Sequence, residues 1–184
     1  GIILSGGPSS VYEKNAPLPD RRIFELGIPV LGICYGMQLM AYIFGGKVAR
    51  SSKREYGRTV LQINERRDIF TGIPQKKVVW MSHGDRILRQ PSGFEPIACT
   101  ENSPVAAMAD KKRNFFAVQF HPEVVHTEYG KEMLKNFIFK VCKCRPGWTM
   151  ESFIESATRV INKKVGQSNV VCAISSIFVP SLPY

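Results

Sequence analysis

The chain has 184 residues, 44% of them hydrophobic and 22% charged, which suits one globular domain with a short appendage and excludes a disordered or fibrous polymer. Its formal net charge of +10 is spread along the chain without a basic block or interleaved aromatics, which argues against a nucleic-acid partner. The longest apolar runs, such as Ile2–Leu4 and Val78–Met81, are far too short to span a membrane, and five scattered cysteines fit a reducing compartment, so the expected location is cytoplasmic.

Ile2-Ile3-Leu4 reads as a buried strand that runs into the turn Ser5-Gly6-Gly7-Pro8, and because no Met precedes it the chain reads as part of a longer protein. Pro29–Ile33 is a second such strand. It gives way at Cys34 to the helical pattern Tyr35–Phe44, stopped by Gly45-Gly46. Strands and loops fill Lys47 to Gln75, with a strand at Thr59–Ile63; a further strand, Val78–Met81, ends in Ser82-His83-Gly84-Asp85. Val105–Met108 and Phe115–Phe120 form a pair around a turn at Asp110–Asn114, and Met133, Leu134, Phe137, Ile138 and Val141 recur at helical spacing within Gly130–Lys143. Cys144-Arg145-Pro146-Gly147 marks a boundary, followed by a helix at Phe153–Val165, a strand at Val170–Ile174 and an unpatterned end. Short apolar runs alternating with helices predict an α/β fold: an open, mostly parallel sheet with helices on both faces.

Gly32-Ile33-Cys34-Tyr35-Gly36 has the form G-x-C-x-G at a strand-to-helix junction. Such a turn lifts the side chain out of the sheet and sets it at a helix N-terminus, whose partial positive charge favours a thiolate; a small buried cysteine is the competing reading. A nucleophile needs a base, and His121-Pro122-Glu123 offers one at a strand end, where positions two apart point the same way and Glu123 can orient His121. His83 and His126 are weaker candidates for that base. Gly7 and Tyr35, the residue after the cysteine, could supply backbone N–H groups to an oxyanion. Cys142 and Cys144 have no second ligand pair at metal spacing, so no metal site is expected.

Ser5-Gly6-Gly7-Pro8, Gly32–Gln38, Ser82–Asp85 and Phe120–Glu123, in that order, resemble the motifs of the class I (triad type) glutamine amidotransferases, whose fold is flavodoxin-like. Within that class Arg54-Glu55-Tyr56-Gly57 and His121–Thr127 are most similar to the amidotransferase domain of GMP synthase. The resemblance covers about residues 1 to 143. It implies that Cys34 attacks the side-chain amide of glutamine, that His121 protonates the departing ammonia and activates water, and that Glu123 holds His121. It further implies that Gln38, Ser82, His83, Gly84 and Asp85 hold the glutamine, with the Gly7 and Tyr35 amides on the oxyanion. In the full enzyme, a homodimer, ammonia would pass to a synthetase (ATP pyrophosphatase) domain of the same polypeptide, which uses ATP and Mg to convert XMP to GMP.

Both ends depart from that pattern. The resemblance implies a strand and a helix before Ile2, so the sheet is expected to lack its amino-terminal segment and to expose a central edge. On this reading residues 144–150 are a linker, 151–175 the start of the synthetase domain and 176–184 an aberrant tail. Where the family has a Ser-Gly-Gly-Val-Asp-Ser phosphate loop, this chain reads Ser175-Ser176-Ile177-Phe178-Val179-Pro180, so no cofactor is expected on this chain. Another class I subunit, such as a glutamyl hydrolase or an anthranilate-type subunit, and a non-catalytic remnant are the alternatives.

Overall fold

The computed structural model describes residues 1–147 and 149–171. Seven strands, β1 (Ile2–Leu4), β2 (Val30–Ile33), β3 (Lys47–Ile63), β4 (Lys76–Arg89), β5 (Glu95–Cys99), β6 (Ala107–Asp110) and β7 (Phe115–Val118), form one sheet in the order β1-β2-β7-β6-β5-β3-β4. Every residue of β2, β6 and β7 is buried, as strands covered on both faces must be, which is why they read as unbroken apolar runs.

The α/β class holds, and the parallel part of the sheet is its β1-β2-β7 end; β7-β6, β6-β5, β5-β3 and β3-β4 are antiparallel. The reason is connection length. Only four residues join β6 to β7, and a parallel return needs a crossover of a dozen or more. β1 is an edge strand, paired with β2 alone.

Helices cover both faces of the sheet. The helix α1 (Tyr35–Ile43) lays Met37, Met40 and Ala41 on Val30, Phe115 and Ala117, and closes at Gly45, whose φ of +80° suits a residue without a Cβ. On the other face α2 (Gly130–Lys135) and the π-helical turn Asn136–Val141 place Met133 and Phe137 on Leu31, Ile33, Phe116 and Val118. Buried Asn136 anchors that turn, donating from Nδ2 to the carbonyls of Ile69 (3.1 Å) and Thr71 (2.8 Å).

The region read as mixed strands and loops is a long hairpin of β3 and β4, in which Ser82–Asp85 lies inside β4 instead of ending it. Burial along β4 alternates strictly through Val79, Met81, His83, Asp85 and Ile87, so two polar side chains occupy the inward row. Bulges in β3 between Arg50 and Glu55 and in β5 between Pro96 and Ala98 add twist and curl the sheet. The curl returns β4 to the end of β7: the N–H of His121 donates to the carbonyl of Trp80 at 3.0 Å.

Residues Gly1–Arg145 make one compact unit and Pro146 onward another. In the second unit α3 (Met150–Val165) begins three residues before the expected helix, with Phe153, Ile154, Val160 and Ile161 about half exposed. Val170 and Val171 are not in a strand; the rest of the strand expected at Val170–Ile174, and the tail 176–184, lie outside the described residues. Among the described residues no helix is long and apolar enough to cross a membrane.

Candidate active site

Cys34 joins β2 to α1 with φ 52° and ψ −104°, a conformation that costs a side-chain-bearing residue about 1–3 kcal/mol and is held by its surroundings. Its N–H donates to the Val118 carbonyl (2.8 Å), and its carbonyl accepts from the N–H groups of Met37 (3.0 Å) and Gln38 (3.2 Å). The flanking glycines make the turn possible. A Cβ on Gly36 would overlap the Leu4 carbonyl, and one on Gly32 would lie 2.7 Å from the backbone of Gly36.

The thiol is buried, and Sγ donates to the Ser82 carbonyl at 3.6 Å. Burial pushes its pKa up to about 11, and the charge of Glu123 acts in the same direction, against the Tyr35 N–H and the Gln119 side chain. The sequence predicts that the helix N-terminus favours a thiolate; burial of the sulfur acts against it.

His121 is fixed on three sides. Besides its N–H bond to Trp80, its carbonyl accepts from the Thr127 hydroxyl at 2.6 Å, and that hydroxyl accepts from the Trp80 N–H at 3.0 Å. Its ring Nδ1 lies 2.6 Å from Oε1 of Glu123, which assigns the Nδ1–H to the carboxylate and leaves Nε2 as the basic nitrogen. Cys34 and His121 converge at Gly6, where an added Cβ would lie 3.0 Å from Cε1 of His121 and 3.7 Å from Cβ of Cys34. Only a residue without a side chain lets the 5–8 loop pass so close to both.

These residues open onto a cleft of about 1040 Å³, at the upper end of small-molecule pockets. Gly7 lies against the Tyr35 side chain, an added Cβ reaching it at 3.7 Å, so the two residues expected to face an oxyanion are neighbours. Gln38, Ser82, His83, Gly84 and Asp85 all line the cleft. Gln38 is tied to the Asp85 carbonyl through Nε2 (3.3 Å), while the Asp85 carboxylate accepts from the hydroxyls of Ser10 (2.5 Å) and Tyr12 (2.7 Å). That pair of bonds fastens the 8–13 segment to the cleft wall.

His83 is committed elsewhere than to the cleft. Its Nδ1 lies 2.7 Å from the Asp85 carbonyl and its Nε2 3.2 Å from Oε2 of Glu55, the residue opposite it in the β3-β4 register. Both partners are hydrogen-bond acceptors, so the two ring nitrogens are taken up by the Asp85 carbonyl and by Glu55. Burial opposes ionisation of Glu55, yet hydrogen bonds from His83, Thr100 and Asn102 outweigh it and hold its carboxyl below the usual value. The Arg54–Gly57 and Ser82–Asp85 motifs are thus cross-strand partners. His126, the other candidate base, stacks on Trp80 with ring centroids 4.7 Å apart.

Sequence reading missed Ser10, Tyr12 and Gln119, and placed Glu55 and Thr127 in motifs without reading their roles. Each acts through a contact distant in sequence or through a hydroxyl with no spacing signature; the motifs that hold Glu55 and Thr127 were the one signal. Among the described residues no three His, Cys, Asp or Glu side chains cluster as a metal ion would need.

The family model of class-I glutamine amidotransferases matches residues 1–141. GMP synthases [glutamine-hydrolyzing] of Caldicellulosiruptor saccharolyticus and Aquifex aeolicus are each 53% identical over 175 residues, 95% of this chain and 34% of theirs. That of Carboxydothermus hydrogenoformans is 54% identical over the same span. The chain therefore spans about a third of the length of these relatives. Among solved structures, a GMP synthase subunit protein from Thermoplasma acidophilum superposes with a TM-score of 0.63 at 34% identity, covering 74% of this chain and 64% of that one. A glutamine amidotransferase of Thermotoga maritima, at 24% identity and a TM-score of 0.57 over 89% of this chain and 71% of that one, shares the fold. With the family's sequence pattern over 141 residues and its fold in the structure, the chain belongs to the class-I glutamine amidotransferases.

Proposed function

We propose that this chain is the glutaminase part of a GMP synthase, hydrolysing glutamine through a glutamyl thioester on Cys34. The observation that carries the reading is the meeting of Cys34 with the His121–Glu123 pair at Gly6, on the wall of a cleft large enough for an amino acid. His121 Nε2 takes the thiol proton, the sulfur attacks the carboxamide carbon, and the negative oxygen turns to the backbone N–H groups of Gly7 and Tyr35. The C–N bond then breaks as His121 returns the proton to the leaving nitrogen, giving ammonia and the thioester. Water, deprotonated by His121, attacks the same carbon; the C–S bond breaks, the sulfur is reprotonated, and glutamate leaves. Glu123 keeps the imidazole in the required tautomer and balances its charge at each step.

Gln38, Ser82, Gly84 and Asp85 form the substrate wall in this reading, and His83 holds that wall from behind through Glu55. The relatives' names support GMP synthase as the whole protein; in this reading that protein is a cytoplasmic homodimer in which residues 151–175 begin the synthetase domain that receives the ammonia. ATP and Mg belong to that domain. The segment Ser175–Pro180 lacks the glycines that bring backbone amides to a phosphate, so it does not fit the nucleotide, and no step of this chain is routed through it.

The test is glutamate released from glutamine by the chain, beside Cys34→Ala. Cys34-dependent release is expected. Release by Cys34→Ala at the parent rate overturns the assignment of the nucleophile; no Cys34-dependent release even when the chain is fused to the synthetase half of a 53% identical relative overturns the glutaminase reading.

A further inference from the structure

Gln119 has no part in the steps above, yet it is fully buried and directed at the nucleophile. It follows β7, where its N–H donates to the Ala106 carbonyl at 2.8 Å, so that backbone donor is already satisfied by the sheet. Its side-chain Nε2 donates to Sγ of Cys34 at 3.9 Å. Its Oε1 is buried with no hydrogen-bond partner among the described residues. An orphaned buried amide oxygen is costly, and a leucine or methionine would fill the same space without it. Stability alone does not account for a glutamine here.

The sulfur lies between one acceptor and one donor, with the Ser82 carbonyl taking the S–H and Gln119 Nε2 supplying a hydrogen bond to the lone pair. The two neighbours respond differently when the proton leaves. The carbonyl dipole then faces a negative sulfur and repels it, while the bond from Gln119 becomes charge-assisted and strengthens. At a buried sulfur, a fixed donor is what separates a reachable thiolate from an inert thiol.

We propose that Gln119 stabilises the thiolate of Cys34, its amide N–H gripping Sγ as His121 removes the proton and holding it toward the cleft. The inference rests on Cys34 being the nucleophile and deepens that reading. The same hydrogen bond works against the burial that lifts the thiol to about 11.

The experiment is the rate of Cys34 alkylation by iodoacetamide from pH 7 to pH 11, followed by mass spectrometry of the Cys34 peptide, in the 184-residue chain and in Gln119→Leu and Gln119→Glu. Only the thiolate reacts, so the profile reports its stability. Losing a charge-assisted bond should slow Cys34 about tenfold at pH 8 and displace the profile up by about one pH unit in Gln119→Leu. Gln119→Glu, of the same shape but bringing a negative charge, should slow it further. Exposed Cys144 in the same sample is the reference, because unfolding would speed Cys34 toward the Cys144 rate, opposite to the expected change. An unchanged or faster Cys34 in both variants overturns the proposal. Because alkylation needs no glutamine, the shift would stand even if Cys34→Ala still released glutamate, so the two readings fail separately.

Discussion

Replacing His83 with alanine should remove much of the chain's margin of stability, although the residue belongs to a motif read as substrate-binding. The side chain is 2% exposed, and that of its partner Glu55 4% exposed. Removing the imidazole leaves a buried carboxylate that keeps the Thr100 hydroxyl at 2.9 Å and loses its His83 partner. Breaking a buried pair from one side costs about 3–5 kcal/mol, against a total of about 5–15 kcal/mol for a domain. For a unit of this size that is a fall in Tm of roughly 6–20 °C, read by circular dichroism. The pair also has a pH signature. Glu55 in the folded chain is held below its ordinary value of 4.5, so on acidification the unfolded chain takes the proton first. Its contribution is complete above pH 4.5 and is lost as the pH falls through the folded value. Glu55→Gln, which cannot titrate, should flatten that acid limb in urea unfolding measured from pH 7 to pH 3. A Tm for His83→Ala within about 2 °C of the parent, or an unchanged acid limb in Glu55→Gln, would refute the reasoning.

Other expectations follow from single contacts. Gly36→Ala places a methyl on the Leu4 carbonyl at the Cys34 turn, and should lower Tm by roughly 5 °C or more in a thermal melt and abolish Cys34-dependent glutamate release. Thr127→Val keeps the shape but leaves the His121 carbonyl and the Trp80 N–H unpaired; kcat for glutamine should fall about tenfold with KM little changed, and Thr127→Ser should restore it. Asp85→Ala releases the Ser10 and Tyr12 hydroxyls and frees the 8–13 segment, so initial-rate kinetics should show KM rising several-fold while alkylation of Cys34 becomes faster.

The part of the fold around Cys34 was legible because local chemistry writes it. Three apolar residues before a Gly-Gly-Pro turn, and glycines two either side of a cysteine, have few structural solutions, and β1, β2 and α1 appear where those patterns lie. The β3-β4 hairpin was not legible, because its inward row carries His83 and Asp85 and so lacks the apolar alternation that marks a strand. Those two residues are admitted by partners 28 to 75 positions away, Glu55, Ser10 and Tyr12, which no local window can pair with them. The antiparallel pair of β6 and β7 was legible from the turn between them, but β5 escaped. β5 contains Glu95 and Pro96 and is pinned to β3 by only two residue pairs, too short a run to show a period. The burial of the Cys34 thiol was also invisible, since a helix N-terminus is readable from sequence and the depth of burial that opposes it is not.

The most direct test is to capture the intermediate. Incubating the chain with glutamine and hydroxylamine, and mapping acid-quenched samples by mass spectrometry, should find a glutamyl group on the Cys34 peptide that hydroxylamine converts to γ-glutamyl hydroxamate. Both products should be absent from Cys34→Ala. Glutamate formed without any Cys34 adduct, or hydroxamate formed at the parent rate by Cys34→Ala, would contradict the account.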